Sequence, residues 1–347
     1  MKRVLAVALT LALLLMATGA LAQEPIVFDE ADRNDNEGCA ATAEGNFVLA
    51  LYQCDQAHYG DGRYGGETRL LCLSRDGEVL WEQREEQTNA SCKYAAPVVM
   101  PDGSLVVGYL VLAKDQPVRW ALRRFSASGE LLAERQLPET TYAIKAATGG
   151  LLVTDRNEAE NTAVYSVSLM DETLQPCWTL PGIRLSGRFD EAVRAGGECS
   201  LLLRHVNIRD NVDELNLMTV RDDGQILHSL QLADEQMGYW GLCIDDDGNK
   251  LIALNAPQSG AQADGGLLLC VNPDGAELWR KPFVLPEEQG RYTMCGFAAI
   301  EDGYLMLVLT QTETCLRLHR LNQEGAVQGY TDWHVAEDEM LLAPDLL

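Results

Sequence analysis

Short apolar runs alternate with glycine-centred polar clusters along nearly the whole chain, and the pattern returns about every fifty residues. One series of clusters reads Glu44-Gly45, Asp102-Gly103, Gly149-Gly150, Gly196-Gly197, Asp247-Gly248 and Asp302-Gly303. The other reads Asp76-Gly77, Ser128-Gly129, Asp171-Glu172, Asp223-Gly224, Asp274-Gly275 and Glu324-Gly325. Eleven of the twelve contain glycine, which accepts the positive φ of tight hairpin turns at little cost. Two hairpins per period predict a four-stranded unit. Six consecutive units predict an all-β chain, a single β-propeller of six blades of four antiparallel strands, with seven blades as the alternative count. The units fall near 39–86, 92–138, 142–181, 189–234, 237–286 and 292–334, and Pro25-Ile26-Val27-Phe28 is read as a further strand ahead of them.

Within each unit the strands differ. The second is apolar throughout, as in Phe47-Val48-Leu49-Ala50-Leu51, Leu201-Leu202-Leu203 and Leu305-Met306-Leu307-Val308-Leu309. Such runs indicate strands covered on both faces, the environment of an inner blade strand with a neighbouring blade on each side. The last strand turns polar, as in Glu130-Leu131-Leu132-Ala133-Glu134-Arg135-Gln136, which suits an outer strand guarded by charge against edge pairing. A β-sandwich would lack this register repeated unit after unit.

Two stretches carry a resemblance. Leu71-Cys72-Leu73-Ser74-Arg75-Asp76-Gly77-Glu78-Val79-Leu80-Trp81 and Leu269-Cys270-Val271-Asn272-Pro273-Asp274-Gly275-Ala276-Glu277-Leu278-Trp279 resemble the repeat of quinoprotein-like (PQQ-like repeat) propellers. In that group a strand, an Asp-Gly turn and a returning strand ending in Leu-Trp build the outer half of a blade. Ser128-Gly129-Glu130-Leu131-Leu132 lacks the tryptophan, and Trp178 and Trp333 stand at shifted spacing. Enzymes of the group use eight blades, and many have a vicinal cysteine pair near the quinone. This chain has six units and no adjacent cysteines. The resemblance therefore points to the noncatalytic members, which act as assembly scaffolds in the bacterial envelope, and no cofactor is expected. The Gly-His and Trp-Asp signatures of WD40 repeats are missing.

The chain opens with Lys2 and Arg3, an apolar stretch from Val4 to Met16 and then Ala20-Leu21-Ala22. That is the form of a cleavable signal peptide over residues 1–22, with the propeller domain at 23–347. No cysteine follows the cleavage site, so a lipid anchor is not expected, nor is membrane insertion after cleavage. The protein is thus read as secreted or extracytoplasmic. The formal net charge of −25 becomes −27 once Lys2 and Arg3 are removed. That surface repels phosphate backbones, so no nucleic acid partner is expected. Ten cysteines suit an exported disulfide framework, yet Cys72, Cys243 and Cys270 sit in apolar strands, as buried thiols do. A bridge between Cys39 and Cys54 is left open.

Candidate chemistry gathers at the end of the blades away from the glycine turns. The long connections there run over Tyr52–Glu67, with His58 and Tyr64, over Val206–Asn216 and over Ala256–Gly266. An aromatic residue recurs where each unit starts its innermost strand: Tyr94, Tyr142, Phe189, Tyr239-Trp240 and Tyr292. Two readings stay open. The aromatics form a rim that stacks on a sugar or grips an extended peptide, or they wedge adjacent blades apart. The five histidines are scattered without metal-ligand spacing, and a Gly-x-Ser-x-Gly nucleophile turn is absent, so neither catalytic nor metal residues are assigned. The stretch from Asp32 to Gly38 begins like a calcium loop but has Ala43 where the bidentate glutamate is needed. The resulting expectation is an exported, acidic, bacterial binding or scaffold protein for an envelope or extracellular protein, a peptide or a glycan. The alternative is an extracellular polysaccharide hydrolase or lyase with its site in the propeller mouth.

Overall fold

The computed structural model describes residues 33–54, 66–87, 90–113, 116–147, 149–159, 162–183, 189–207, 212–233, 238–255, 266–283, 292–310 and 315–334. The signal-like segment, Pro25–Phe28, His58 and Tyr64 lie outside them.

The chain folds into six four-stranded sheets, here called blades. Blade one is β1 Arg33–Ala41, β2 Phe47–Cys54, β3 Gly66–Leu73 and β4 Val79–Gln87. Blade two is β5 Ala90–Val99, β6 Leu105–Ala113, β7 Arg119–Phe125 and β8 Leu131–Gln136. Blade three is β9 Thr141–Ala147, β10 Gly150–Ala159, β11 Thr162–Met170 and β12 Pro176–Ile183. Blade four is β13 Phe189–Ala195, β14 Glu198–Asn207, β15 Val212–Arg221 and β16 Ile226–Ala233. Blade five is β17 Gly238–Ile244, β18 Lys250–Asn255, β19 Gly266–Val271 and β20 Glu277–Phe283. Blade six is β21 Tyr292–Ile300, β22 Gly303–Thr310, β23 Cys315–Asn322 and β24 Val327–His334. Strands adjacent in sequence pair antiparallel throughout. Blades one to three belong to one compact unit, residues 3–184, and blades four to six to another, 185–347.

Apolar second strands supply the core, as their composition requires. Leu49 and Ala50 in β2, Val106 and Val107 in β6, Leu201 and Leu202 in β14, and Leu251 and Ile252 in β18 are all fully buried. Each such leucine contributes about 1.5–3 kcal/mol relative to an exposed one. The core lies between blades. Val48, Leu70 and Cys72 of blade one meet Tyr94, Val107 and Phe125 of blade two. Leu202 and Leu217 of blade four meet Ile252 and Leu269 of blade five. The outer strand β8 is mostly exposed, as its charges predict.

Among the described residues nine hairpins close with one hydrogen-bond pattern over five residues. In residues 74–78, for example, Gly77 N–H donates to the Ser74 carbonyl at 2.9 Å and Ser74 N–H to the Glu78 carbonyl at 2.8 Å. The fourth residue takes positive φ, hence the recurrent glycine. Blade three departs from the glycine rule. Its turn spans 171–175, and Leu174, buried at 2 % exposure, takes the left-handed position with φ 62°. This corrects the shifted spacing of Trp178, which follows Leu174 at the offset by which Trp81 follows Gly77.

The outer strand of one blade grips a turn of the next. The Trp81 ring lies on Gly129, where an added Cβ would come within 2.7 Å, and Trp81 Nε1 donates to the Ala127 carbonyl at 2.9 Å. Gln83 donates to the Gly129 carbonyl at 2.8 Å. Blade five repeats the grip on blade six, with Trp279 on Gly325 and Lys281 donating to the Glu324 carbonyl at 2.6 Å.

The strand pairing bears on three sequence readings. The register sets Cys39 opposite Leu49 and Cys54 opposite Arg33, so the two cysteines lie five positions apart along β2. At roughly 3.3 Å per residue that exceeds the Cα separation a disulfide tolerates. The connection expected over Val206–Asn216 is mostly paired strand, because β14 and β15 extend to Asn207 and from Val212. The calcium-like stretch runs into β1, where Asn34, Asp35 and Asn36 pair with Gln53, Tyr52 and Leu51. Cys72, Cys243 and Cys270 are buried as expected.

Candidate functional site

The inner strand of every blade is interrupted by a β-bulge, which in blades three to six falls in its half away from the turns. In β1 the extra residue is Glu37, between Asn36 opposite Leu51 and Gly38 opposite Ala50. In β5 the break falls at Ala96-Pro97, with Ala96 at φ 49°. The extra residues elsewhere are Tyr142, Asp190, Trp240 and Cys295. A bulge unpairs one residue, sharpens the twist and re-aims side chains, which is why bulges collect at rims and binding sites. Glycine follows three of the bulges, as Gly38, Gly241 and Gly296. At two of them it is needed for close approach: a Cβ on Gly38 would lie 2.8 Å from Pro97 of the next blade, and one on Gly241 2.8 Å from Phe297.

The recurrent aromatics coincide with these bulges. Tyr142 and Trp240 are the extra residues themselves, Phe189 and Tyr239 stand immediately before theirs, and Tyr94 and Tyr292 lie slightly further upstream. Within residues 185–347, β13 packs beside β17 and β17 beside β21, so Phe189, Tyr239-Trp240 and Tyr292 sit on three successive inner strands. Tyr94 and Tyr142 sit on adjacent β5 and β9. Their environments differ. Tyr142 is 44 % exposed, with its ring edge-on to Tyr165 at 5.7 Å, whereas Tyr94 is 1 % exposed.

Tyr94 belongs to a partly buried polar cluster that the sequence pattern did not announce. Glu85 of β4 accepts hydrogen bonds from Tyr94 Oη at 3.1 Å, from Tyr109 Oη and from Arg123. Arg123 also donates to Glu134 at 2.7 Å, and its guanidinium lies 3.6 Å from the Tyr109 ring centroid. Burial, reinforced by Cys92 and Glu85 at Tyr109 and by Glu85 at Tyr94, pushes both phenols far above their ordinary range. Burial alone would raise the Glu85 carboxyl, but its hydrogen bonds from Tyr109 and Arg123 outweigh that and hold it below the usual value. Phenols held protonated beside a paired guanidinium make a latch between blades one and two, with no group poised to exchange protons at neutral pH.

Because its pKa is depressed on folding, Glu85 stabilises the fold above the ordinary carboxylate pKa, and that stability is lost as pH falls through the folded value. Glu85→Gln is expected to cost about 1–2 kcal/mol at neutral pH, trimmed by solvent at the carboxylate's open edge. Denaturant midpoints should show the difference from wild type shrinking in acid.

Two depressions on blade six, of about 700 and 580 Å³, lie at its turn end and on one sheet face, away from its bulge. Arg320 and Asp302, the charged residues the two depressions share, pair at 2.5 Å. Among the described residues no three His, Cys, Asp or Glu side chains gather to hold a metal ion. His205 stands opposite Glu214 in the β14–β15 pairing.

No family model matches the chain, and no curated protein matches it. Solved structures do. A prolyl endopeptidase, from a study of two such enzymes, aligns with 87 % of this chain and 42 % of its own at TM-score 0.54 and 10 % identity. Prolyl oligopeptidase B from Galerina marginata, bound to a 35mer hydrolysis and macrocyclization substrate, aligns with 86 % of this chain and 42 % of its own at TM-score 0.51 and 10 % identity. The β-propeller domain of the trilobed protease from Pyrococcus furiosus aligns over 90 % of this chain and 99 % of its own at TM-score 0.46 and 12 % identity. The chain spans less than half the length of the first solved structures it matches. Likeness at such identity is one of fold, and the fold is an all-β propeller of six four-stranded blades.

Proposed function

We propose that this chain is a noncatalytic binding or scaffold protein that engages a protein, peptide or glycan at the loop end of its blades. The observation that carries this reading is an aromatic residue at or directly beside the inner-strand bulge in blades three, four and five, with Tyr292 three residues upstream of the bulge in blade six. In every blade both hairpin turns lie at one end, so the strand ends free to carry varied connections lie at the other. Rigid aromatics at a bulged rim offer large contact area at low entropic cost, and they suit sugar faces and extended peptides alike. The signal-like leader motivates an exported location. The Asp-Gly-…-Trp outer hairpins motivate kinship with the noncatalytic quinoprotein-like propellers. The peptidase names of the structural neighbours describe chains of more than twice this length and lend no activity to this one.

The test probes a peptide and glycan array with the protein lacking residues 1–22 and carries any hit into solution titration. Tyr239→Ala with Tyr292→Ala is expected to weaken binding by at least about tenfold, the equivalent of ~1.4 kcal/mol, with little change in Tm. A large loss of Tm would show that these aromatics wedge the blades. Turnover of an arrayed glycan would establish the hydrolase or lyase reading instead.

A further inference from the structure

At the turn end of blades one, four and five one cross-strand row faces the next blade. In blade one the row is Val48, Cys72 and Trp81, and in blade five it is Leu251, Cys270 and Trp279. In blade four the same row is Ser200, Thr219 and His228. Ser200 and Thr219 are fully buried, with their hydroxyl oxygens 3.4 Å apart, and Thr219 Oγ1 shares a 2.9 Å hydrogen bond with His228 Nε2. The imidazole occupies the tryptophan's place. It lies on Gly275 of blade five, where an added Cβ would come within 2.9 Å of the ring.

Blade five answers with a second polar substitution. Lys250 opens β18 two residues after Gly248, the position that Phe47 and Leu105 hold in blades one and two. It is 1 % exposed, and its Nζ has no hydrogen-bond partner among the described residues. The charged groups acting on His228 are Lys250 from β18, Glu198 from β14 and Asp274 from the turn after β19. Three hydrophobic or aromatic places at one blade contact have thus been given to hydroxyls and an imidazole, with a buried amine opposite.

We propose that the contact between blades four and five is proton-sensitive: a second proton on His228 loosens its seat on Gly275 and opens the turn end of this pair of blades. A neutral imidazole can satisfy Thr219 and pack as an aromatic. An imidazolium there is a half-buried cation beside the buried Lys250, and partial desolvation together with the like charge makes that costly. Burial first and Lys250 second lower the His228 pKa, outweighing Glu198 and Asp274. Stability from the neutral ring is therefore complete above the ordinary histidine value and is lost as pH falls through the depressed one. The tryptophan contacts at Gly129 and Gly325 have no ring that titrates in this range.

The test is amide hydrogen exchange on the whole protein at about pH 7.5 and about pH 5, corrected for intrinsic rates. Exchange in 226–233 and 272–276 is expected to rise at least ~10-fold in acid, while 79–87 and 126–130, at the Trp81 contact, change little. His228→Trp, which installs the residue of blades one and five, should abolish the acid response. Equal responses at the histidine and tryptophan contacts of the wild type, or a response that survives in His228→Trp, would overturn the proposal. Should the variant fail to fold, the comparison within the wild type still decides.

Discussion

Gly303→Ala is expected to unfold the hairpin that opens blade six, at a cost beyond about 4 kcal/mol, whereas Gly103→Ala costs about 1–2 kcal/mol. Both glycines follow aspartate in what reads as the same turn. Gly103 is the fourth residue of a five-residue turn at φ 79°, and a Cβ there would meet nothing within 4 Å. Its replacement pays only for the left-handed backbone. Gly303 is already in the strand: the turn is Glu301-Asp302, and Gly303 pairs with Ile300 and Asn322 at φ 152°. A Cβ would stand 2.0 Å from the Leu321 carbonyl oxygen and 2.9 Å from Asn322 Cα. Both are ladder backbone atoms, so relief means breaking the β22–β23 pairing. Urea unfolding of the two variants measures the difference. Equal losses would mean that the two turns share one geometry.

The same pair shows what the sequence makes plain and what it hides. Glycine spacing locates hairpins because positive φ is a local demand, and the predicted units match the six blades to within a few residues at most ends. Turn type is not local in that sense. It depends on strand register, and so Asp102-Gly103 and Asp302-Gly303 look alike. Blade three shows the converse, since Leu174 takes a left-handed position without glycine. Burial of Cys72, Cys243 and Cys270 was legible from apolar neighbours alone.

The candidate rim was half legible. Aromatics on five of the six inner strands could be counted, but the bulges near them could not be, although Gly38, Gly241 and Gly296 inside strands were a usable signal. The Glu85–Tyr94–Tyr109–Arg123 cluster was not legible at all. Its members come from β4, β5, β6 and β7, and only the docking of blade one on blade two brings a polar outer strand against two tyrosines. That docking also separates the aromatics into two environments, with Tyr94 enclosed and Tyr142 open to solvent.

Contacts between blades are matched pairs, and Gly129→Ala tests the pairing. Gly129 sits at φ 84°, and its added Cβ would fall 2.7 to 3.0 Å from Trp81 ring atoms. The substitution is expected to cost about 3 kcal/mol, of which ~1–2 is backbone strain and the rest a displaced indole. Displacing the ring also endangers its hydrogen bond to the Ala127 carbonyl. In a Trp81→Ala background the methyl has room, so Gly129→Ala should then cost only the strain. The double-mutant cycle should give a coupling of at least about 1 kcal/mol. The chain contains a natural counterpart: Ala133 holds the Trp81 position on blade two, and Leu174 holds the Gly129 position on blade three. A small residue on one blade accompanies a large one on the next, and Arg135 keeps the bond to the Leu174 carbonyl that Gln83 makes to Gly129. Strict additivity in the cycle would mean that indole and glycine do not share their space, and the pairing rule would fail with it.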